Sequence, residues 1–418
     1  MRSLRISLVS EHASPLAVLG GVDAGGQNVH VAALAAGLAR RGHRVTVHTR
    51  RDDPDLDPLV PFGPGVVVHH VPAGPPRPLP KDQLLPYMPA FGDRLGEHWG
   101  AERPDVVHSH FWMSGLASLL GASVCDGSAG AGPPVVHTYH ALGTVKRRHQ
   151  GAADTSPPGR IAIETAVGLG AARIVATCRD EVGELQAMGV DPERSRIVPC
   201  GVDTRRFSPD GPVAERSGRP RLLQIGRLVP RKGADTAIRA LAALPGAELL
   251  LAGGPPAWEL PHDPEAGRLR DLARALGLGE RVRLLGGVAP SDMPALIRSA
   301  DLVLCPARYE PFGIVPLEAM ACGVPVVATA VGGQLDTVLD HRTGRLVAPD
   351  RPAELAEACA HLLARPGLRA AYGRAGRKRA LDHFGWDRIA AATELVYREL
   401  LDRSGSERSV HPVEGALR

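Results

Sequence analysis

Residues 310–330 read E-P-F-G-I-V-P-L-E-A-M-A-C-G-V-P-V-V-A-T-A, and this stretch decides the fold. Glu310 and Glu318 have seven residues between them and bracket a Gly-containing turn and the start of a helix. The apolar run that follows, over 324–328, is short and continuous, as in a strand buried on both faces of a parallel sheet. Chemically the segment suits a diphosphate with a hydroxylated ring on each side. Backbone N–H groups at the helix start meet the anion. One carboxylate accepts hydrogen bonds from a sugar, the other from a ribose.

The same alternation extends outward in both directions. Towards the N-terminus, strands are expected at 5–10, 44–49, 66–71, 105–109, 135–138, 173–177 and 196–199, with helical spacing between, as over 27–40 and 160–169. The pattern pauses over 203–219, where Pro, Gly and charged residues read as a linker. It restarts with strands at 222–225, 248–252, 282–285, 302–305 and 324–328. At 418 residues the chain is too long for one core. The reading is α/β: two Rossmann-like, doubly wound parallel domains facing each other across a cleft. Residues 1–205 form the first and 206–385 the second. A last helix over 386–402 follows, and 403–418 has too little to bury and is expected to be disordered. The Gly/Pro-rich stretch 128–134 reads as a surface loop.

Composition excludes several classes. A net charge of +4 and 4% aromatics give no footprint for nucleic acid. No apolar run approaches a membrane span, which needs about 20 residues. The six cysteines form no C-x-x-C pair and sit in apolar runs, so they read as free thiols of a cytoplasmic protein.

Candidate chemistry clusters after strand ends. Gly25 and Gly26 precede a helical pattern after the first strand, where backbone N–H groups can approach a phosphate. They lack the Gly-Lys-Ser/Thr of a Walker loop and the G-x-G-x-x-G of dinucleotide folds. A plain strand–helix turn would read the same. The second half opens L-L-Q-I-G-R-L-V-P-R-K-G, with Arg227 and Lys232 past a strand end, suited to a leaving diphosphate. Arg231 is a weaker third cation. His108 and His110 share one face of a strand. His110 and His140 fall at strand ends, where they can donate to a sugar, and no carboxylate or thiol completes a metal pattern around them. His69 and His70 read as structural or surface residues. Lys81, Lys146, Arg147 and Arg148 could receive a phosphorylated acceptor.

G-R-L-V-P-R-K-G, V-P-C-G-V-D-T-R-R-F-S-P and the 310–330 stretch together resemble glycosyltransferase family 4, over about residues 4–400. The resemblance implies the GT-B fold and a retaining transfer from a nucleotide-diphosphate sugar, without metal or other cofactor. It assigns Arg227 and Lys232 to the donor diphosphate, Glu318 to the ribose, and Glu310 to the transferred sugar, helped by backbone at Gly313, Ile314 and Val315. Gly25 and Gly26 would lie against diphosphate and sugar, and His140 and its neighbour His110 near the reaction centre. It also places the last helix back across the first domain. H-S-H-F-W-M-S-G, H-T-Y-H-A-L-G-T-V-K and the Lys81 segment are most similar to sucrose-phosphate synthase and to the mycothiol glycosyltransferases. Lys81 and Arg160 fall where the latter hold an acceptor phosphate. Phe111 and Ala141 stand where those enzymes have Tyr and Thr.

The expected activity is therefore a hexosyltransferase, with a UDP-sugar favoured as donor and a small polar, phosphorylated or otherwise anionic acceptor. The alternatives are a sucrose-phosphate-synthase-like enzyme making a disaccharide phosphate and a non-catalytic nucleotide-sugar-binding protein. Oligomeric state is left open by the sequence.

Overall fold

The computed structural model describes residues 2–16, 25–129 and 132–408. The first sheet has strands β1 (Arg5–Val9), β2 (Arg44–Arg50), β3 (Leu59–Gly63), β4 (Val66–Val71), β5 (Val106–His110), β6 (Val135–Thr138), β7 (Arg173–Ala176) and β8 (Ser195–Ile197). Their order is β3-β4-β2-β1-β5-β6-β7-β8. The second has β9 (Arg221–Ile225), β10 (Glu248–Ala252), β11 (Val282–Gly286), β12 (Leu302–Cys305), β13 (Val326–Thr329) and β14 (Gly344–Val347), in the order β11-β10-β9-β12-β13-β14. All pairings are parallel except β3 with β4. In each sheet the strand order reverses beside the first strand, β1 or β9, and such reversals open a crevice at the carboxyl ends.

Continuous apolar strands cover both faces. Leu222, Leu249, Leu302 and Leu304 pack with Ile238 and Leu241 of the helix Ala234–Leu241 on one face. Leu223, Leu250, Val303 and Val326 pack with Leu317 and Met320 of the helix Ile314–Ala321 on the other. Adjacent residues thus serve opposite layers, as the two-residue period of a strand requires.

Two strands escape the sequence reading. β3 contains Pro61 and runs antiparallel at an edge, where a missing N–H is tolerated. β14 has only four residues and follows a turn, so no apolar run marks it. The segment 203–220 has no helix or strand, yet it is no free linker. Phe207 is buried, Arg377 Nη1 donates to the carbonyls of Thr204 and Phe207, and Arg216 pairs with Asp301.

The last helix, Trp386–Arg408, enters the core of the first half. Ile389, Ala390, Val396, Tyr397 and Leu400 pack with Leu34, Leu38, Val45 and Val106. The Tyr397 hydroxyl meets His108 Nδ1 at 2.7 Å, and Glu394 pairs with Arg41, Arg398 and His43. Residues 403–408 are helical, contrary to the disorder expected from 403 onward, while 409–418 lie outside the described residues. Within the expected loop 128–134, residues 128 and 129 instead end the helix Trp112–Ala129, and 130 and 131 lie outside the described residues. All six cysteines are buried thiols. No described helix is long and apolar enough to cross a membrane.

Candidate active site

A cleft of about 410 Å³ opens between the carboxyl ends of the two sheets. The first half lines it with His12, the segment Gly25–Val29, Lys81, Phe111, His140 and Ala141. The second contributes Gly226, Arg227, Arg231, Lys232, Glu310, Pro311, Phe312, Ile314, Val315 and Glu318. The halves touch here. The His140 and Phe312 rings lie 5.2 Å apart, and Arg179 Nε donates to Asp336 Oδ1 at 2.6 Å.

The helix Gly26–Arg40 points its N-terminus into this cleft. Gly25 N–H donates to Asn28 Oδ1 at 3.0 Å, and Gln27 Nε2 donates to the His110 carbonyl at 3.2 Å. These bonds fix the helix start against β5. A Cβ on Gly26 would stand 3.0 Å from Ile314 Cδ1 of the other half, so glycine permits the close approach of the two walls.

β5 and β6 deliver the histidines. Phe111 and His140, each just past a strand end, have φ of 80° and 62°. Left-handed backbone is strained for such residues and is held here by the packed surroundings. His140 Nε2 lies 2.9 Å from His110 Nδ1. His30 closes the cluster, with ring centroids 5.6 Å from His110 and 5.1 Å from His140. Burial, and then the neighbouring histidines, hold His110 and His140 well below the ordinary histidine value, while burial takes His30 down to about 4. The cluster is neutral near pH 7. His140 Nδ1 is buried and has no hydrogen-bond partner among the described residues.

Across the cleft, Gln224 Nε2 donates to the Lys232 carbonyl at 2.8 Å and pins the basic loop after β9. Lys232 Nζ donates to Glu310 Oε2. Burial pushes the Glu310 carboxyl up, but Lys232, Arg231 and the Gly313 N–H outweigh it and leave it below the usual carboxylate value. Gly313 turns the chain into the helix at a left-handed φ of 72°, and an added Cβ would sit 3.1 Å from Thr337 Oγ1. Glu318 has weaker support. Burial pushes it up to about 7, opposed by Arg206. The pair therefore has one carboxylate held ionised and one poised near neutrality.

The structure brings together most of the sequence-derived residues, but not all. Gly25, Gly26, Lys81, His140, Arg227, Lys232, Glu310, Ile314, Val315 and Glu318 line the cleft. His110, expected at the sugar, is fully buried behind His140. Gly313 has its N–H turned to Glu310. Lys146, expected at the acceptor, is engaged by Asp154 at 2.9 Å and Ser156 at 2.8 Å. Arg160, also expected there, is 3% exposed. It pairs with Glu164 at 2.7 Å, donates to the Ala141 carbonyl at 2.8 Å and lies over the Phe111 ring at 5.2 Å. It braces two cleft residues instead of reaching into the cleft. Sequence reasoning missed His12, Gln27, His30 and Phe312. His30 falls one helical turn after Gly26, a spacing that would have aimed it at the other histidines.

Comparison with known proteins agrees with this architecture. Residues 210–379 match the family model "Glycosyl transferases group 1" and residues 24–206 match "Glycosyltransferase Family 4". The D-inositol 3-phosphate glycosyltransferase of Kineococcus radiotolerans is 39% identical, with 98% of each chain covered. That of Acidothermus cellulolyticus is 38% identical, over 95% of this chain and 90% of the relative. The structure of sucrose-phosphate synthase from Thermosynechococcus elongatus superposes with a TM-score of 0.83 at 31% identity, covering 95% of this chain and 99% of that one. Anabaena HepE in complex with UDP shares the fold, with a TM-score of 0.70 at 20% identity over 96% of this chain and all of the other. With relatives matching along nearly its whole length and two facing parallel sheets around a shared cleft, the chain belongs to glycosyltransferase family 4 and has the GT-B fold.

Proposed function

We propose that this glycosyltransferase moves a hexose or N-acetylhexosamine from a UDP-linked donor to a small polar, phosphorylated acceptor, with retention of anomeric configuration. The observation that carries the reading is the Lys232–Glu310 pair, which shares one cleft with the helix start at Gly25–Gly26. Lys232 and Arg227 hold the donor diphosphate and stabilise it as it leaves. Glu310 accepts hydrogen bonds from hydroxyls of the transferred sugar, and Glu318 from the ribose. Gly25 and Gly26 give the anion backbone N–H groups at a helix N-terminus. His140 offers its unpartnered Nδ1 to the donor sugar. The departing diphosphate takes the acceptor proton at the face where the acceptor attacks, so positioning and charge stabilisation do the catalysis, without a covalent enzyme intermediate.

On the acceptor side, Lys81 receives the phosphate, and Phe111 and Ala141 present an apolar ring and a methyl group beside it. An inositol phosphate, named by the relatives from Kineococcus and Acidothermus, is the first acceptor to test. The 0.83 TM-score with a sucrose-phosphate synthase favours fructose 6-phosphate as the second. The test is turnover of UDP-glucose and UDP-N-acetylglucosamine with each acceptor, followed by NMR assignment of the product anomer. An α-linked product from the α-linked donor supports retention. A β-linked product overturns it, and GDP, ADP or TDP stabilising the protein in place of UDP overturns the choice of base.

A further inference from the structure

Away from the cleft, three histidines from distant parts of the chain meet over the first sheet. His48 of β2 and His69 of β4 are register partners in adjacent parallel strands, so both leave the sheet on one face. His98 comes down onto that face from the helix Met88–Glu102. The next residue, Trp99, is buried against the His48 ring and donates its indole N–H to Ser7 Oγ at 2.9 Å, which fixes the helix over the strands. The three imidazole centroids form a near-equilateral triangle with sides of 5.2, 5.1 and 4.6 Å. One nitrogen from each ring lies within 4.8 Å of the others, the sole such His/Cys/Asp/Glu group among the described residues.

We propose that His48, His69 and His98 form a three-histidine site for a divalent transition metal, with Zn²⁺ as the fitting ion. His48 Nδ1 and His69 Nδ1 stand 3.1 Å apart. Two nitrogens on a tetrahedral Zn²⁺, each about 2.0–2.1 Å from the ion, are about 3.3–3.4 Å apart, so one edge of the tetrahedron is nearly in place. His98 and His69 are only partly buried, so their rings can close the remaining distance by small rotations. His48 is completely buried, and its Nδ1 faces His69 Nδ1 instead of solvent.

A set of imidazoles without thiolate selects Zn²⁺, Ni²⁺ or Cu²⁺ over Ca²⁺ and Mg²⁺. A cavity of about 480 Å³ lined by His48, His98 and Glu102 adjoins two of the three rings, where water can reach a bound ion. Such an ion ties β2 and β4 to the helix Met88–Glu102. Its role is structural and does not depend on the sugar chemistry proposed for the cleft.

The full-length chain, stripped with EDTA, should take up about one Zn²⁺ per molecule on dialysis and give a tetrahedral Co²⁺ absorption spectrum in its place. His98→Gln and His69→Gln should each weaken Zn²⁺ binding by about a hundredfold or more. Metal-free variants should unfold near the temperature of the metal-free parent and bind UDP as it does. Failure of the parent chain to bind Zn²⁺ at micromolar concentration would overturn the site, with no variant needed. Tight binding retained in either variant would place the ion elsewhere and overturn it equally.

Discussion

Nδ1 of His110 and Nε2 of His140 stand 2.9 Å apart at the ends of neighbouring strands, so one ring donates to the other and the second nitrogen of His140 is left for a ligand. His110 itself is fully buried, which makes it the residue that orients His140. Replacing His110 with Ala should lower kcat by about a hundredfold while the donor dissociation constant changes little. His110→Gln, which can restore a hydrogen bond, should recover part of the loss. Equal effects of both variants on donor binding would instead make His110 a binding residue.

Lys232 and Glu310 should behave as a unit. Lys232→Ala removes the cation that keeps a largely buried carboxylate ionised and that, in the proposed function, faces the leaving diphosphate. A fall of about 10²–10³ in kcat/KM is expected. Glu310→Gln should cost less, and the double variant should be little worse than Lys232→Ala alone. Additive losses in steady-state kinetics would show that the two act separately.

With Glu318 on the donor ribose as proposed, donor binding should depend on pH. Burial raises it to about 7, so below that value the free protein carries it protonated. Ribose hydroxyls donate to the carboxylate form, so UDP affinity should weaken by up to about tenfold per pH unit as pH falls below 7. Binding near pH 7 should also release protons. Calorimetric titration of UDP in buffers of different ionisation enthalpy measures both effects, and Glu318→Gln should remove them. A pH-independent affinity in the parent chain would take Glu318 out of the donor site.

Acid should destabilise the fold through its buried histidines. Burial holds His30 at about 4 and His137 at about 3, against 6.5 for the free side chain. Below pH 6.5 the unfolded chain gains protons that the folded chain refuses. Their contribution is therefore complete above about 6.5 and is lost as pH falls towards the folded values. Each histidine subtracts up to about 1.4 kcal/mol per pH unit in that window. Thermal unfolding between pH 8 and pH 5, about 1.5 units below 6.5, checks this. A melting temperature flat over that range would show that these imidazoles are hydrated.

Arg160 and Lys81 should separate stability from acceptor recognition. Arg160→Ala leaves Glu164 buried without its partner and should cost about 3–5 kcal/mol of stability. Lys81→Ala should raise the acceptor KM, with a smaller loss of stability than Arg160→Ala. The opposite pattern, a stable Arg160→Ala protein with lost acceptor affinity, would return Arg160 to the role its position in the sequence implied.

Most of the sheet framework was legible because parallel strands buried on both faces are written as unbroken apolar runs, as at Leu302–Cys305 and over 249–252. β3 was not, because Pro61 and its alternating exposure contradict that signal. In the site, Lys232 and Glu310 were legible because charged residues beside glycine turns at strand ends have few structural uses. Arg160 and Lys146 were only partly legible, for a physical reason. A sequence shows a cation but not the anion that occupies it, and Glu164 and Asp154 are found only by the fold. The His48–His69–His98 triangle was invisible for the same reason, since strand register and helix docking create it.

The bridge between Val202 and Gly385, with the Val202 N–H on the Phe384 carbonyl at 2.8 Å, means that the backbone leaves the first half and re-enters it side by side. In topological terms the second half is a single continuous insertion, and the first half is written in two pieces. A fragment ending before Trp386 would strip the cover from Leu34, Leu38 and Val106 and expose a core. Recombination between relatives is correspondingly unequal. The second half can be exchanged as one cassette, whereas exchange of the first must carry the terminal helix with it.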